Sequence, residues 1–144
     1  MATSDQAEDW YAADLRIRAE IREFGEVRTG HFAGRQVLLL TTTGARSGEA
    51  RTSVLSYSTT GDRYVIIASK AGAAENPAWY WNLKADPAAV VEVGGEGFGV
   101  RATEAGEDER ARLYATHAEI HRGFAAYEGL TERTIPVMLL ERLD

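Results

Sequence analysis

From Ser4 to Phe24 the apolar residues Trp10, Ile17, Ile21 and Phe24 recur at helical spacing among Asp, Glu and Arg, which predicts one amphipathic helix. The period then shortens. Val37 to Thr43 is Leu-rich and β-branched, Thr52 to Tyr57 alternates, and Tyr64 to Ser69 is a short apolar run, so three consecutive strands are expected. Their connections, Gly44-Ala45-Arg46-Ser47-Gly48 and Thr60-Gly61-Asp62-Arg63, are short and glycine-containing, as antiparallel hairpins require. Asn76-Pro77 predicts a helix start, with Asn76 as N-cap and Pro77 in the first helical position; that helix reaches Lys84, and Asp86-Pro87 ends it. Ala89 to Val93 and Phe98 to Ala105 flank Gly94-Gly95-Glu96-Gly97 as a second hairpin. An acidic-led helix from Gly106-Glu107-Asp108 to His121 and a last strand from Ile135 to Leu140 complete the series.

The order has no βαβ rhythm and no internal repeat, which defines an α+β fold. About six short, mostly hairpin-linked strands close more economically into a barrel than into an open sheet with bare edges. Residues 1–29 read as the amphipathic helix and a linker, and 30–144 as the barrel domain. With 144 residues, 44% of them apolar and 26% charged, the chain has the makings of one globular domain. A net charge of −6 opposes nucleic acid and anionic lipid, so no nucleic-acid partner is expected and any bound anion needs a local patch. The absence of cysteine removes disulfides, thiolate metal sites and thiol chemistry. No apolar run approaches the ~18 residues of a membrane span, and a cytoplasmic location is expected. Peripheral contact with the inner face of the membrane through the first helix is the alternative, but Asp9, Asp14 and Glu20 alternate there with Arg16, Arg18 and Arg22, poor material for binding anionic lipid. Packing on the barrel or on a second subunit suits that helix better.

A local cationic patch does exist. Between Val27 and Ala74 the charged residues are Arg28, Arg35, Arg46, Arg51, Arg63 and Lys70 against Glu49 and Asp62 only. If the fold brings Arg46, Arg51 and Lys70 to one rim, they can cradle phosphate or carboxylate, with the small-residue loop from Ser69 to Ala74 offering backbone N–H groups. Neither a Walker loop nor G-x-G-x-x-G is present. Trp79-Tyr80-Trp81 follows that loop, so at least one ring is expected beside a ligand held there, while others plug the core. His117 and His121 have the i, i+4 spacing of a metal pair, but no Glu follows the first and no third ligand is evident, so surface histidines and no metal are expected. His31 sits in a loop with no constellation around it, and no G-x-S-x-G occurs.

Four ordered blocks now carry a resemblance: Leu39 to Arg51, Ala68 to Gly72, Asn76 to Tyr80 with Asn82 to Pro87, and Thr131 to Val137. From about Gly30 to the C-terminus they resemble the deazaflavin-dependent nitroreductase family of actinobacteria. The resemblance implies a split β-barrel, the fold shared with FMN-binding, pyridoxamine-phosphate-oxidase-like proteins. It also implies binding of reduced coenzyme F-420, an 8-hydroxy-5-deazaflavin with an anionic phospholactyl polyglutamate tail. Carried over block by block, tail and phosphate contacts fall on Arg46, Ser47, Arg51 and Lys70, and ring-side contacts on Thr52, Ser53, Ile67, Ala68, Ser69, Ala78, Trp79 and Asn82. The implied activity is hydride transfer to a small electrophilic acceptor: a quinone, an enone or a nitro compound.

Two departures stand out. Ser53-Val54 occupies a place where family members often read Asn-Pro, and Phe124 stands where nitroimidazole reducers carry a tyrosine. Phenylalanine has no hydroxyl to orient an acceptor or relay a proton, which bears on nitroimidazole activation; Tyr127 is the nearby substitute in the acceptor pocket. An FMN-dependent reductase on the same barrel, and a carrier that only sequesters the coenzyme, stay open as alternatives. Barrels of this kind often dimerise, so a homodimer belongs to the expectation.

Overall fold

The computed structural model describes residues 10–143, with side chains from Ala12 onward. The expected helix start at Ser4 and the Trp10 side chain lie outside the described residues. The elements are α1 (Trp10–Phe24), β1 (Val37–Thr43), β2 (Ala50–Ser56), β3 (Ser58–Thr60), β4 (Arg63–Ile67), α2 (Ala78–Ala85), β5 (Ala88–Val93), β6 (Glu96–Glu104), α3 (Glu107–Ile120), α4 (Phe124–Tyr127) and β7 (Val137–Arg142). Single 3-10 turns lie at Lys70–Gly72 and Glu128–Leu130.

All strands pair antiparallel in one sheet of seven, in the order β2-β1-β5-β6-β7-β4-β3. β2 and β3 stand at opposite ends of that order, yet only Tyr57 separates them in the chain. The sheet must therefore curl until its two edges meet at Tyr57, whose N–H donates to the Gln36 carbonyl (3.1 Å). This is the α+β split β-barrel anticipated, with one strand more. The expectation of three consecutive hairpin strands fails at this point: the Thr52–Tyr57 run leaves its partner β1 and becomes β3, which pairs with β4. A strand that changes sheet edge at a corner keeps its alternation, so the break leaves no mark on the pattern.

Burial on both faces explains the near-continuous apolar runs of β1, β4 and β7. Leu38, Leu40, Ile66, Met138 and Leu140 point into the barrel, where they pack with Trp79, Tyr80 and Leu83 of α2. Their neighbours point outward: Val65, Ile67, Val137 and Leu139 lie against Leu113 and Tyr114 of α3, and Val37 and Leu39 against Ile17 and Ile21 of α1. Phe24, expected on the packing face of α1, is instead 41% exposed beneath the Arg28 guanidinium, 3.9 Å from the ring centre. The β5–β6 hairpin turns on Gly94 and Gly95, both at positive φ (60° and 83°), which a two-residue turn of this twist demands.

The start of α2 is also shifted. Pro77 (φ −67°, ψ 158°) is the N-cap, and Ala78 is the first helical residue. The Asn76 side chain does not cap the helix; its Oδ1 accepts a 2.6 Å hydrogen bond from Arg133 Nη1. A guanidinium arriving from the C-terminal block is a stronger donor than a backbone N–H.

Candidate functional site

Two cavities adjoin at Trp79. The larger, of about 710 Å³, is lined by the β1–β2 turn (Gly44 to Ser47), by Ala50, Arg51, Thr52 and Ser53 of β2, by Ala78, Trp79, Trp81 and Asn82 of α2, and by Arg18. The smaller, of about 290 Å³, continues along Val54, Leu55 and Ser56 past Trp79 to Ile67, Ser69, Lys70 and Ala71. His121, Gly123, Phe124, Tyr127 and the loop residues His31, Phe32 and Arg35 close it.

The β1–β2 turn is held from within and from below. Gly44 N–H donates to the Glu49 carbonyl (2.8 Å) and Gly48 N–H to the Gly44 carbonyl (2.9 Å), with Gly48 at φ 72°. A Cβ on Gly44 would meet Ser47 Oγ at 2.6 Å, so only glycine lets that hydroxyl fold back to accept from Glu49 N–H (3.1 Å). From α2, buried Asn82 uses both ends of its amide: Oδ1 accepts from Ala45 N–H (2.9 Å) and Nδ2 donates to Thr42 Oγ1 (3.0 Å). Asn82 thereby fixes the height of the turn that carries Arg46 and Ser47.

Charge in the larger cavity is cationic. Arg51 has two long, exposed contacts, with Glu49 (3.7 Å) and, as donor from Nη2, with Ser47 Oγ (3.5 Å), and Arg46 has no partner among the described residues. Arg18 reaches across from α1, its Nη2 donating to the Thr52 carbonyl (2.8 Å) while it pairs with Asp14 (2.7 Å). Three guanidiniums on one concave wall suit a ligand with several anionic groups.

Lys70 does not share that wall. It belongs to the smaller cavity, half-exposed, with Nζ 3.3 Å from Glu75 Oε1. The anticipated single rim of Arg46, Arg51 and Lys70 is thus split between two compartments joined by an indole. Lys70 and Ala71 both adopt left-handed backbone (φ 46° and 54°), a conformation that costs non-glycine residues roughly 1–2 kcal/mol each. Arg133 braces the strained turn: Nη2 donates to the Ala68 and Ser69 carbonyls (3.1 and 2.9 Å), and Nε to the Ala73 carbonyl (3.0 Å).

Of the residues anticipated at the ring, Thr52, Ser53, Ala78, Trp79 and Asn82 line the larger cavity, and Ile67 and Ser69 the smaller. Ala68 lines neither; it is fully buried, its N–H donating to the Pro136 carbonyl (2.9 Å). In the tryptophan-tyrosine-tryptophan run, Trp79 and Tyr80 turn inward and Trp81 stays 55% exposed on the cavity wall. The Tyr80 hydroxyl donates to Glu104 (2.8 Å), and burial, then that carboxylate, push the phenol up to about 12.

The expectation of surface histidines is wrong. His117 is fully buried and His121 is 3% exposed, their rings 4.8 Å apart. His117 Nδ1 lies 2.8 Å from Ser58 Oγ, while its Nε2 is buried without a partner among the described residues. Burial, then the neighbouring His121, push His117 down to about 3, so it is neutral. His121 Nε2 donates to the Tyr57 carbonyl (2.8 Å). Both rings brace the corner where β2 becomes β3, and no trio of metal-ligating side chains occurs among the described residues. Phe124 packs edge-on to His117 (4.6 Å) and Tyr127 (5.0 Å), and its carbonyl accepts from the Tyr114 hydroxyl (2.7 Å).

Arg18, Trp81, His31, Phe32 and Arg35 are cavity residues that sequence reasoning did not assign, while His121 opens the His121–Gly129 stretch in which the family resemblance places the acceptor pocket. For His121 the i, i+4 pairing with His117 was a usable signal. For Arg18, one of three arginines on a mixed-charge helix, none was.

A curled antiparallel barrel with a cationic groove beside an aromatic-walled pocket is a split-barrel architecture suited to an anionic, flat-ringed ligand. Residues 14–142 match the family model described as F420H(2)-dependent quinone reductase, and the chain belongs to that family. The match begins inside α1, upstream of the point near Gly30 from which the motif blocks run. An F420H(2)-dependent quinone reductase of Mycobacterium tuberculosis is 42% identical over 108 residues, covering 73% of this chain and 72% of that protein. The solved F420-H2 dependent reductase FDR-A superposes with a TM-score of 0.69 at 34% identity, over 78% of this chain and all of that one. A chain solved as a domain-swapped dimer superposes at 0.70 with 32% identity, over 87% of this chain and 96% of that one.

Proposed function

We propose that the chain binds reduced coenzyme F-420 across the two cavities and passes its hydride to a quinone or similar small electrophile. The observation that carries this reading is the partition at Trp79 between a guanidinium-lined groove and a pocket with an aromatic and imidazole wall. Arg46, Arg51 and Ser47, with Arg18, fit the anionic tail; Trp79, Thr52, Ser53, Ala78 and Ile67 fit the edge and face of a flat ring. Lys70 and the Ser69 loop fit an anionic or carbonyl group at the junction. A reduced 5-deazaflavin supplies a hydride from ring carbon and no single-electron chemistry. The chain's own residues bind the tail, fix the ring against the indole, shield the pocket from water and leave room for the acceptor beside Phe124 and Tyr127.

The relatives described above are named for F-420, which favours the deazaflavin over FMN; titrating the two cofactors separately distinguishes them. Mixing the protein with reduced coenzyme and menadione should restore the visible absorbance of the oxidised coenzyme. No rate above a protein-free control across quinones, enones and nitro compounds would overturn the reading, and tight coenzyme binding with no turnover would leave a carrier. A homodimer, supported by the domain-swapped neighbour, is read by sedimentation equilibrium. Among the described residues no helix is long and apolar enough to cross a membrane.

A further inference from the structure

We propose that His121 is the acid that protonates the acceptor after hydride transfer. This inference rests on the reductase reading and deepens it by naming the group that completes the reaction. A quinone that accepts a hydride gains two electrons and one hydrogen, and one of its oxygens becomes an oxyanion. Formation of the hydroquinone then needs a proton inside a half-closed cavity. Phe124 has none to give.

Eight side chains with an N–H or O–H line that cavity: Ser56, Ser69, Trp79, Arg35, Lys70, Tyr127, His31 and His121. Guanidinium cannot release a proton in a protein, and of the remaining classes only imidazole normally titrates between about pH 5 and 8. His31 is on an exposed loop with only an edge-on contact to Phe32 (5.0 Å), whereas His121 is buried and hydrogen-bonded. Its Nε2 lies 2.8 Å from the Tyr57 carbonyl, which can only accept. The Nε2 proton is therefore spoken for, and the ring nitrogen left to meet an acceptor is Nδ1. His117 behind it and Phe124 at 6.1 Å hold the ring plane in the cavity wall.

The groups facing His121 are few. His117 and Ser58 lie behind it, Tyr57 gives its carbonyl, and Tyr127, His31, Arg35 and Lys70 share the cavity. His117 is neutral and adds no competing charge, while Arg35 and Lys70 draw the new oxyanion into the cavity. In the step itself the quinone takes the hydride as the C–H bond of the reduced deazaflavin breaks. The His121 Nδ1–H bond then breaks as an O–H bond forms, and the neutral imidazole regains its proton from water.

His121→Gln tests this, because a glutamine amide can still donate to the Tyr57 carbonyl but carries no titratable proton. Coenzyme affinity, read by fluorescence, should stay within about twofold, while kcat with menadione falls about a hundredfold near neutrality. In the parent kcat should decline with rising pH, and in the variant that decline should disappear. A readout without coenzyme or turnover is imidazole 15N NMR of the parent chain titrated with 1-naphthol, a stable hydroquinone mimic. The His121 Nδ1 resonance should move more than Nε2. Unchanged kcat and pH profile in a folded variant, or a Nδ1 resonance indifferent to saturating 1-naphthol, would overturn the proposal. If the parent neither binds reduced coenzyme nor reduces menadione, the reductase reading fails, and the naphthol titration still decides whether Nδ1 meets a ligand.

Discussion

Acid should unfold this protein through His117. The folded chain holds that imidazole neutral down to about 3, against an ordinary value of 6.5. Below pH 6.5 the unfolded chain binds a proton that the folded chain refuses, so stability is full above 6.5 and drains away as pH falls towards 3. One proton corresponds to ~1.4 kcal/mol per pH unit, which amounts to about 2 kcal/mol lost between pH 8 and pH 5. The full interval would reach about 5 kcal/mol, an upper bound because water entry or local opening relieves part of the burial. Glu20, held down to about 2 chiefly by the Thr29 hydroxyl and the Arg28 N–H, destabilises only as pH drops below its ordinary 4.5, so the window from 6.5 to 5 separates the effect of His117 from that of Glu20. Urea unfolding followed by circular dichroism at several pH values in that window measures the slope. His117→Asn keeps one polar end for Ser58 and should be less stable at pH 8, yet its stability should decline less steeply by about one proton. Parallel slopes in parent and variant would refute the reasoning.

Removing either exposed guanidinium from the larger cavity, by Arg46→Ala or Arg51→Ala, should weaken binding of the anionic coenzyme by about 1 kcal/mol each and flatten its salt dependence, since these side chains are largely solvated. Isothermal titration at two ionic strengths checks this, and unchanged affinity would remove the anion groove. Asn82→Leu leaves Ala45 N–H unpaired beneath the turn and Thr42 Oγ1 with only its long donation to the Arg51 carbonyl (3.5 Å), so a loss of about 1–3 kcal/mol is expected by urea unfolding, with a parallel loss of coenzyme affinity. Gly72→Ala would place a Cβ 2.9 Å from Leu130 Cβ on backbone at φ 82°; a destabilisation of about 1–3 kcal/mol should appear as a lowered Tm.

Much of the site's machinery is legible locally. The Gly44–Gly48 turn, the Gly94-Gly95 hairpin and the acidic start of α3 each depend on neighbours a few residues away, where turn chemistry and charge near a helix end suffice. Arg46, Arg51 and Trp79 stand out as candidates because the turn and the short helix near them are marked by glycine and proline, whereas Ser47 became a candidate only through the family resemblance. Asn76 was misread for a long-range reason: its Oδ1 is claimed by Arg133, 57 positions away, and nothing near Asn76 announces that guanidinium.

What the sequence determined by itself is the inventory: short apolar strands with glycine turns, an acidic globule that keeps one stretch basic, and no thiol to confuse the chemistry. Tertiary structure alone decided the partition. The chain leaves one sheet edge and joins the other at Tyr57, a corner sealed by two histidines that look like surface residues in a polar helix. That corner swings the 3-10 turn of Lys70 away from Arg46 and Arg51 and brings His121 to the pocket wall. Periodicity reports which face of an element is buried, but which distant elements share a cavity depends on sheet curl, and curl is set by strand pairing across the whole barrel.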